Sequence, residues 1–305
     1  MTSGDHGHDG PRTGRRRLAI ALSITAVILV AEVVGAAITG SLALLVDAAH
    51  MLTDAAGLTI ALIAVTVSTR PASTRRTWGL ARAEVLGATA QAAILLAVGV
   101  FVLIEAVQRL FDPPTIASGP LLVFGVIGLV GNVASIAVLA SGRAATLNLR
   151  AAFLEVVNDA LGSIAVIAAA IVIALTGWQS ADAVAAILIG ALILPRAVLL
   201  LRDTGNVLLE STPKGVDLDS IRLHIMELPH VQAVHDLHVT QIATGLPVLT
   251  AHVVVDDSCF FDGHAPKMLD ELQQCVAQHF AMPIDHSTFQ LELAEHAEHE
   301  HPAHD

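Results

Sequence analysis

Six long apolar runs dominate this chain, at residues 18–39, 42–67, 84–108, 119–141, 152–176 and 180–201. Each reaches the ~20 residues a helix needs to cross the hydrocarbon core of a bilayer. Inside lipid every backbone N–H and C=O must be paired within its own segment, which makes these runs helices. Their separators carry turn and breaker residues: Gly40-Ser41, Arg70-Pro71, Asp112-Pro113-Pro114, Ser141-Gly142 and Gly177. Composition agrees, with 54% hydrophobic residues, 14% charged and a mean hydropathy of +0.68. Soluble domains carry about a quarter charged residues. The sequence therefore predicts an α-helical membrane protein, with six transmembrane helices over residues 18–203.

The arginines set the orientation. Arg12, Arg15, Arg16 and Arg17 precede the first run, Arg70, Arg75, Arg76 and Arg82 join the second to the third, Arg143 and Arg150 join the fourth to the fifth, and Arg202 follows the sixth. The opposite connections hold only Arg109. Short loops rich in Lys and Arg face the cytoplasm, so both termini are expected there, in a multi-pass protein of a bacterial cell membrane. The first run is too long for a signal-peptide core and no convincing cleavage site follows. It reads as a retained helix behind a cytoplasmic segment, residues 1–17.

The charge splits sharply along the chain. Of a net −12, the part up to Asp203 holds 13 basic and 12 acidic residues, and the remainder 3 basic and 16 acidic. Residues 204–293 thus read as a separate acidic domain. A helix fits DLDSIRLHIMEL, strands fit HVQAVHDLHVTQI and VLTAHVVV around an ATGLP turn, a helix fits APKMLDELQQCVAQHF, and a strand fits STFQLEL. The order αββαβ predicts a small α+β domain with one helix-covered sheet. Residues 294–305 form a His-rich, acidic tail expected to be disordered. Cys259 and Cys275 are too few for a disulfide framework. No basic surface points to nucleic acid.

The chemistry lies in polar groups placed where lipid makes them costly. His50 and Asp54 stand four apart in the second run, Glu155 and Asp159 four apart in the fifth. That spacing stacks each pair on one helix face. Ionisable side chains in spans face a bundle interior or wet cavity and mark pathways more often than they serve as packing. One imidazole and three carboxylates make a tetrahedral ligand set that zinc accepts. Asp47 shares the stripe, either as an entrance ligand or as a partner orienting His50. Glu32, Glu84, Glu105 and Asn132 are isolated and read as packing or local ion pairs, Glu84 with Arg82 for example. In the C-terminal part, His235, His238, His252 and His286 fall on predicted strands, where surface and ligand readings are evenly matched.

These residues resemble the cation diffusion facilitator family, in its bacterial zinc, cobalt and cadmium exporter branch. GSLALLVDAAHMLTD is similar to the family's second-span motif and RAAFLEVVNDALGS to its fifth, with His50, Asp54, Glu155 and Asp159 at the ligand positions. WGLARAEVLGA resembles the signature opening the third span. HDLHV, GLPVLTAHVVVDD and STFQLEL look like the family's cytoplasmic domain. The resemblance implies a homodimer in the lipid bilayer with a metallochaperone-like C-terminal domain, in which His235, His252, His264 and Glu292 stand at positions that bind metal in relatives. It implies no enzyme and no resident cofactor. The cargo would be Zn2+, also Cd2+ or Co2+, exchanged for protons. Relatives commonly carry His at the positions of Glu155 and Gln290. Some bind metal between the second and third spans, but PASTRRTW holds no His or Asp, and no site is expected there.

The oxygen-rich set leaves manganese, iron or cobalt export open. From other classes, the rival readings are a membrane metal sensor and an intramembrane metalloprotease. The protease is disfavoured because HMLTD lacks the nearby catalytic Glu of an HExxH helix.

Overall fold

The computed structural model describes residues 11–68, 73–140, 147–280 and 282–297. The fold is two compact units, one built from the chain up to Thr59 with Ala90–Leu200, the other from Ile60–Thr89 and the chain from Leu201 onward. The second unit therefore takes in one end of each of three long helices as well as the acidic domain.

The long helices are α1 (Pro11–Thr39), α2 (Leu42–Ser68), α3 (Arg82–Phe111), α4 (Ser118–Ala140), α5 (Leu147–Thr176) and α6 (Ala181–Leu208). Five of them are long and apolar enough to cross a membrane. α2, at 27 residues, has the length as well, and its described apolar stretch is Leu42–Thr53. The first unit is inverted relative to a soluble protein. Val27, Val30, Phe101, Ile104, Val130 and Leu192 are largely exposed, whereas Glu32, Asp47, His50, Asn132, Asp159 and Asp182 are buried. Apolar exposure on this scale suits lipid rather than water.

Among the described residues the helices break at Gly40, at Asp112-Pro113-Pro114 and at Gly177, where the sequence placed them; Arg70-Pro71 and Ser141-Gly142 lie outside the described residues. Gly40 (φ +69°) and Gly177 (φ +73°) adopt the left-handed conformation that ends α1 and α5, their N–H groups donating to the carbonyls of Ala36 and Ile173. Glycine enters this region without the Cβ clash of other residues. The N-terminus of α2 is capped from far along the chain. Asp182, at the start of α6, accepts the Ser41 hydroxyl proton and the Leu42 N–H, the latter at 2.8 Å. The Asp182 carboxylate is fully buried and, through the Leu42 N–H, meets one of the orphan backbone donors every helix start exposes. Arg109 donates to the Gly40 carbonyl at 2.7 Å and pairs with Glu105 one turn back at 3.0 Å, which is the local pair expected for Glu105.

The second unit contains α7 (Leu218–Met226), β1 (Val231–Ala243), β2 (Leu246–Val255), α8 (Ser258–Phe261), α9 (Ala265–Gln278), β3 (His286–Glu292) and α10 (Ala294–Ala297). The αββαβ order is thus present, with two short helices added. α10 occupies the start of the tail; the rest, with His299, His301 and His304, and His6 and His8 at the other end, lies outside the described residues. Asp217 caps α7 by accepting the Asp219 N–H. β1 and β2 form an antiparallel hairpin around Thr244-Gly245, and β3 runs parallel to β2 after the α9 crossover, giving the order β1-β2-β3. Ile221 and Ile225 of α7 and Met268, Leu272 and Val276 of α9 cover one face of the sheet, against Val234, Leu237, Val239, Leu249, Val253 and Phe289.

In the same unit Trp78, ahead of α3, stacks edge-on against His286 at 4.8 Å. Glu84 does not pair with Arg82 as the sequence suggested. Arg82 reaches Glu210 at 2.6 Å, and Glu84 accepts the Thr244 hydroxyl at 3.1 Å. Two residues apart on a helix, the two side chains diverge.

A candidate metal centre

His50 is 1% exposed, and the Thr53 hydroxyl donates to its carbonyl oxygen at 2.7 Å. Its Nε2 lies 3.2 Å from Glu155 Oε1 and 3.9 Å from Asp159 Oδ1 on α5. One ligand atom from each of the three falls within 4.8 Å of the others, so the group can hold a metal ion. The i, i+4 spacing sets Glu155 and Asp159 on one face of α5, and that face meets the His50 stripe of α2. Asp54 lies one turn beyond His50 on α2; its side chain is outside the described residues.

Two neighbours fix this group. Arg196, on α6, sets one guanidinium nitrogen, Nη1, against both Glu155 oxygens, at 2.6 Å from Oε1 and 2.5 Å from Oε2. The Asp159 carbonyl accepts the Ser163 hydroxyl proton at 3.2 Å, and Ser163 in turn accepts from Asn132 of α4 at 3.3 Å. Asn132, read from the sequence as packing, is therefore tied to the candidate site through one hydroxyl.

Asp47 does not join the three. Its carboxylate lies against Gly162 of α5, where an added Cβ would stand 2.9 Å from Oδ1 and 3.1 Å from Oδ2. It faces the carboxyl group of Glu32, itself 1% exposed. Gly128 of α4 leaves matching room for Glu32, with an added Cβ 3.1 Å from Oε1. Among the described residues, Glu32 Oε2 and Asp47 Oδ2 are buried without a hydrogen-bond partner. Sequence reasoning passed over Arg196 and set Glu32 aside as packing. The available signal was the same for both, an ionisable residue in an apolar run.

A second group sits on the open face of the sheet. His235 of β1 pairs in register with His252 of β2, and His252 with Gln290 of β3. His235 Nε2 contacts Glu292 Oε1, His252 Nδ1 lies 3.5 Å from Glu292 Oε2, and Gln290 donates to that same oxygen at 3.3 Å. His235, His252 and Glu292 form a possible metal group. A bulge produces this arrangement. Asp236 takes φ +45° and the register slips between His235 and His238. The extra residue lets Val234, Leu237 and Val239 all face the core while His235 and His238 share the other side. His264 does not join the group. It stands at the N-cap position of α9, its N–H and ring both engaged by Asp262, and its ring lies 5.5 Å from that of His230. The backbone N–H of His264, foremost, holds the Asp262 carboxyl below its usual range.

An apolar helical bundle with His, Glu and Asp side chains converging in its interior, continued by an α+β domain with its own His/Glu group, defines a class of integral membrane proteins with ionisable clusters inside the bundle. Residues 18–209 match the cation efflux transmembrane domain, and residues 213–293 match the cation efflux protein cytoplasmic domain. The chain belongs to the cation efflux family, a family of transporters, as its second- and fifth-span motifs implied. Similar proteins include the metal cation efflux system protein CzcD of Cupriavidus metallidurans, 45% identical over 95% of this chain and 90% of that one. The zinc transporter ZitB of Escherichia coli is 39% identical over 91% and 87%. The cadmium, cobalt and zinc/H(+)-K(+) antiporter of Bacillus subtilis is 34% identical over 95% and 93%. A solved structure, the metal-bound C-terminal domain of the CzcD transporter from Cuprividus metallidurans, is 39% identical and covers 26% of this chain and 100% of that one, with a TM-score of 0.22.

Proposed function

We propose that this protein exports a divalent cation, zinc foremost with cadmium or cobalt, in exchange for protons, and that His50, Asp54, Glu155 and Asp159 bind the cation in transit. The observation that carries the reading is the buried convergence of His50 with Glu155 and Asp159 inside an apolar bundle. The names of the similar proteins supply the metals and the proton exchange.

His50 offers Nε2 as a neutral imidazole, and the carboxylates offer oxygens. An arriving cation competes with Arg196 for Glu155. When the bundle opens to the other side, protons compete with the cation at His50, since imidazole accepts either a proton or a metal at the same nitrogen. Rocking about a fixed midplane site is the common pattern of secondary transporters. The arginine distribution supports cytoplasmic termini, and the match of residues 213–293 supports a homodimer joined through the C-terminal domain.

Zinc flux into proteoliposomes tests the reading. His50→Ala in a folded, inserted protein is expected to abolish flux, and normal flux would refute the assignment. The excess of oxygen over nitrogen ligands favours one second reading, export of manganese or iron. Competition among metals in the same assay separates the two.

A further inference from the structure

We infer that His224, Cys275 and His279 form a further metal-binding site in the C-terminal domain, which takes a thiophilic divalent cation and ties α7 to α9. Cys275 and His279 are four apart at the end of α9, on one face, and the His279 N–H donates to the Cys275 carbonyl at 3.1 Å. His224 stands in the last turn of α7. Its Nε2 lies 3.0 Å from His279 Nδ1, and the three ligand atoms fall within 4.8 Å of one another.

Bond lengths of about 2.0–2.1 Å to nitrogen and 2.3 Å to sulfur put tetrahedral ligands roughly 3.3–3.6 Å apart. Small side-chain rotations bring the observed group to that spacing. The other nitrogen of His224, Nδ1, faces Glu227 Oε2 at 3.8 Å. A carboxylate behind the imidazole is the usual way a ligating histidine is oriented. The edge-on ring of Phe280, 5.5 Å away, restricts His224 further.

The donor set points to a class of metal. Two imidazoles with one thiolate suit zinc, cadmium or cobalt and disfavour magnesium, calcium or manganese. Burial, with the Glu227 charge beside it, pushes the Cys275 thiol above its usual pKa. A cation at the site would displace the thiol proton to solvent and ligate the thiolate, so binding is tighter at higher pH. The site shares no residue with the His50 group or the His235 group, and neither of those contains sulfur.

Sulfur gives a specific readout. The full-length protein in detergent is titrated with Co2+, and absorption is followed in the near ultraviolet, where only a cobalt–thiolate bond gives an intense charge-transfer band. The band is expected in the wild type and in Cys259→Ser, and its loss is expected in Cys275→Ser. His279→Ala, at an exposed helix end, should keep the fold and weaken the cobalt affinity read from the band at least tenfold. Zinc alone should slow alkylation of Cys275 without changing that of Cys259. A missing band in the wild type, a band that survives in Cys275→Ser, or an unchanged affinity in His279→Ala would overturn the site and leave the His224–His279 contact as a hydrogen bond between helices.

Discussion

Replacing Arg196 by Gln is the most informative perturbation of the bundle, because this arginine holds the carboxylate that the transport reading assigns to the cation. Two charges ~4 Å apart interact by about 4 kcal/mol at an effective dielectric of 20. The Arg196 side chain is 57% exposed and Glu155 21%, so solvent screens much of that, and exposed pairs retain only about 0.2–1 kcal/mol. This half-shielded, charge-assisted pair falls between, near 1.5 kcal/mol, or roughly tenfold in a binding constant. Removing the guanidinium frees Glu155 and removes a positive charge from beside the cation, and both effects favour binding. Arg196→Gln should therefore lower the KM for zinc about tenfold in proteoliposomes and slow maximal flux, because release becomes harder. Arg196→Lys, which keeps the charge on a more compact, more strongly hydrated ammonium, should fall between. An unchanged or raised KM in correctly folded Arg196→Gln protein would refute the reasoning. It would mean that Arg196 positions Glu155 for the metal rather than competing with it.

Glu155→His should shift the metal ranking toward zinc and cadmium over manganese, since imidazole is the softer ligand; an unchanged ranking in competition flux would place Glu155 outside the coordination sphere. Gly162→Ala drives a Cβ to 2.9 Å from the Asp47 carboxylate, and a drop in the melting temperature of purified protein, relieved by adding Asp47→Ala, is expected. Asp182→Ala strips the Leu42 N–H and the Ser41 hydroxyl of their acceptor and should cost about 1–3 kcal/mol, read from denaturant unfolding in detergent. Burial raises the Cys259 thiol pKa, so Cys259 should alkylate more slowly than a free thiol at the same pH, the rate climbing as pH rises.

Hydropathy and turn residues revealed the helices, because lipid permits few alternatives to an apolar run of that length. Alternation revealed the strands to within a residue or two. The bulge at Asp236 was not legible. Strict alternation would put His235 and His238 on opposite faces, and nothing in HDLH announces a positive φ at an aspartate. The spacing exposed Glu155 and Asp159 as a pair, because both sit on one helix. Arg196 and Asp182 stayed hidden for the opposite reason. Each acts on a helix distant in sequence, and which faces meet depends on helix rotation that periodicity does not fix. Asp47 shows the same limit, since sharing a stripe with His50 did not bring it into the His50 group.

The clamp from Asp182 to the start of α2 has a consequence in time. The two partners are 140 residues apart in the chain. At a synthesis rate of about 5–20 residues per second, α2 waits roughly 7–28 s before its cap exists. Through that interval the turn between α1 and α2 has its own hydrogen bonds and, once α3 is made, the Arg109 donation to the Gly40 carbonyl, but not the carboxylate at the start of α2. When α6 arrives, it brings the acceptor that locks the earliest hairpin of the protein. Maturation of the bundle is thus gated by its last helix, and a ribosome stalled before residue 182 should leave a nascent chain whose Ser41–Leu44 segment is still open to protease.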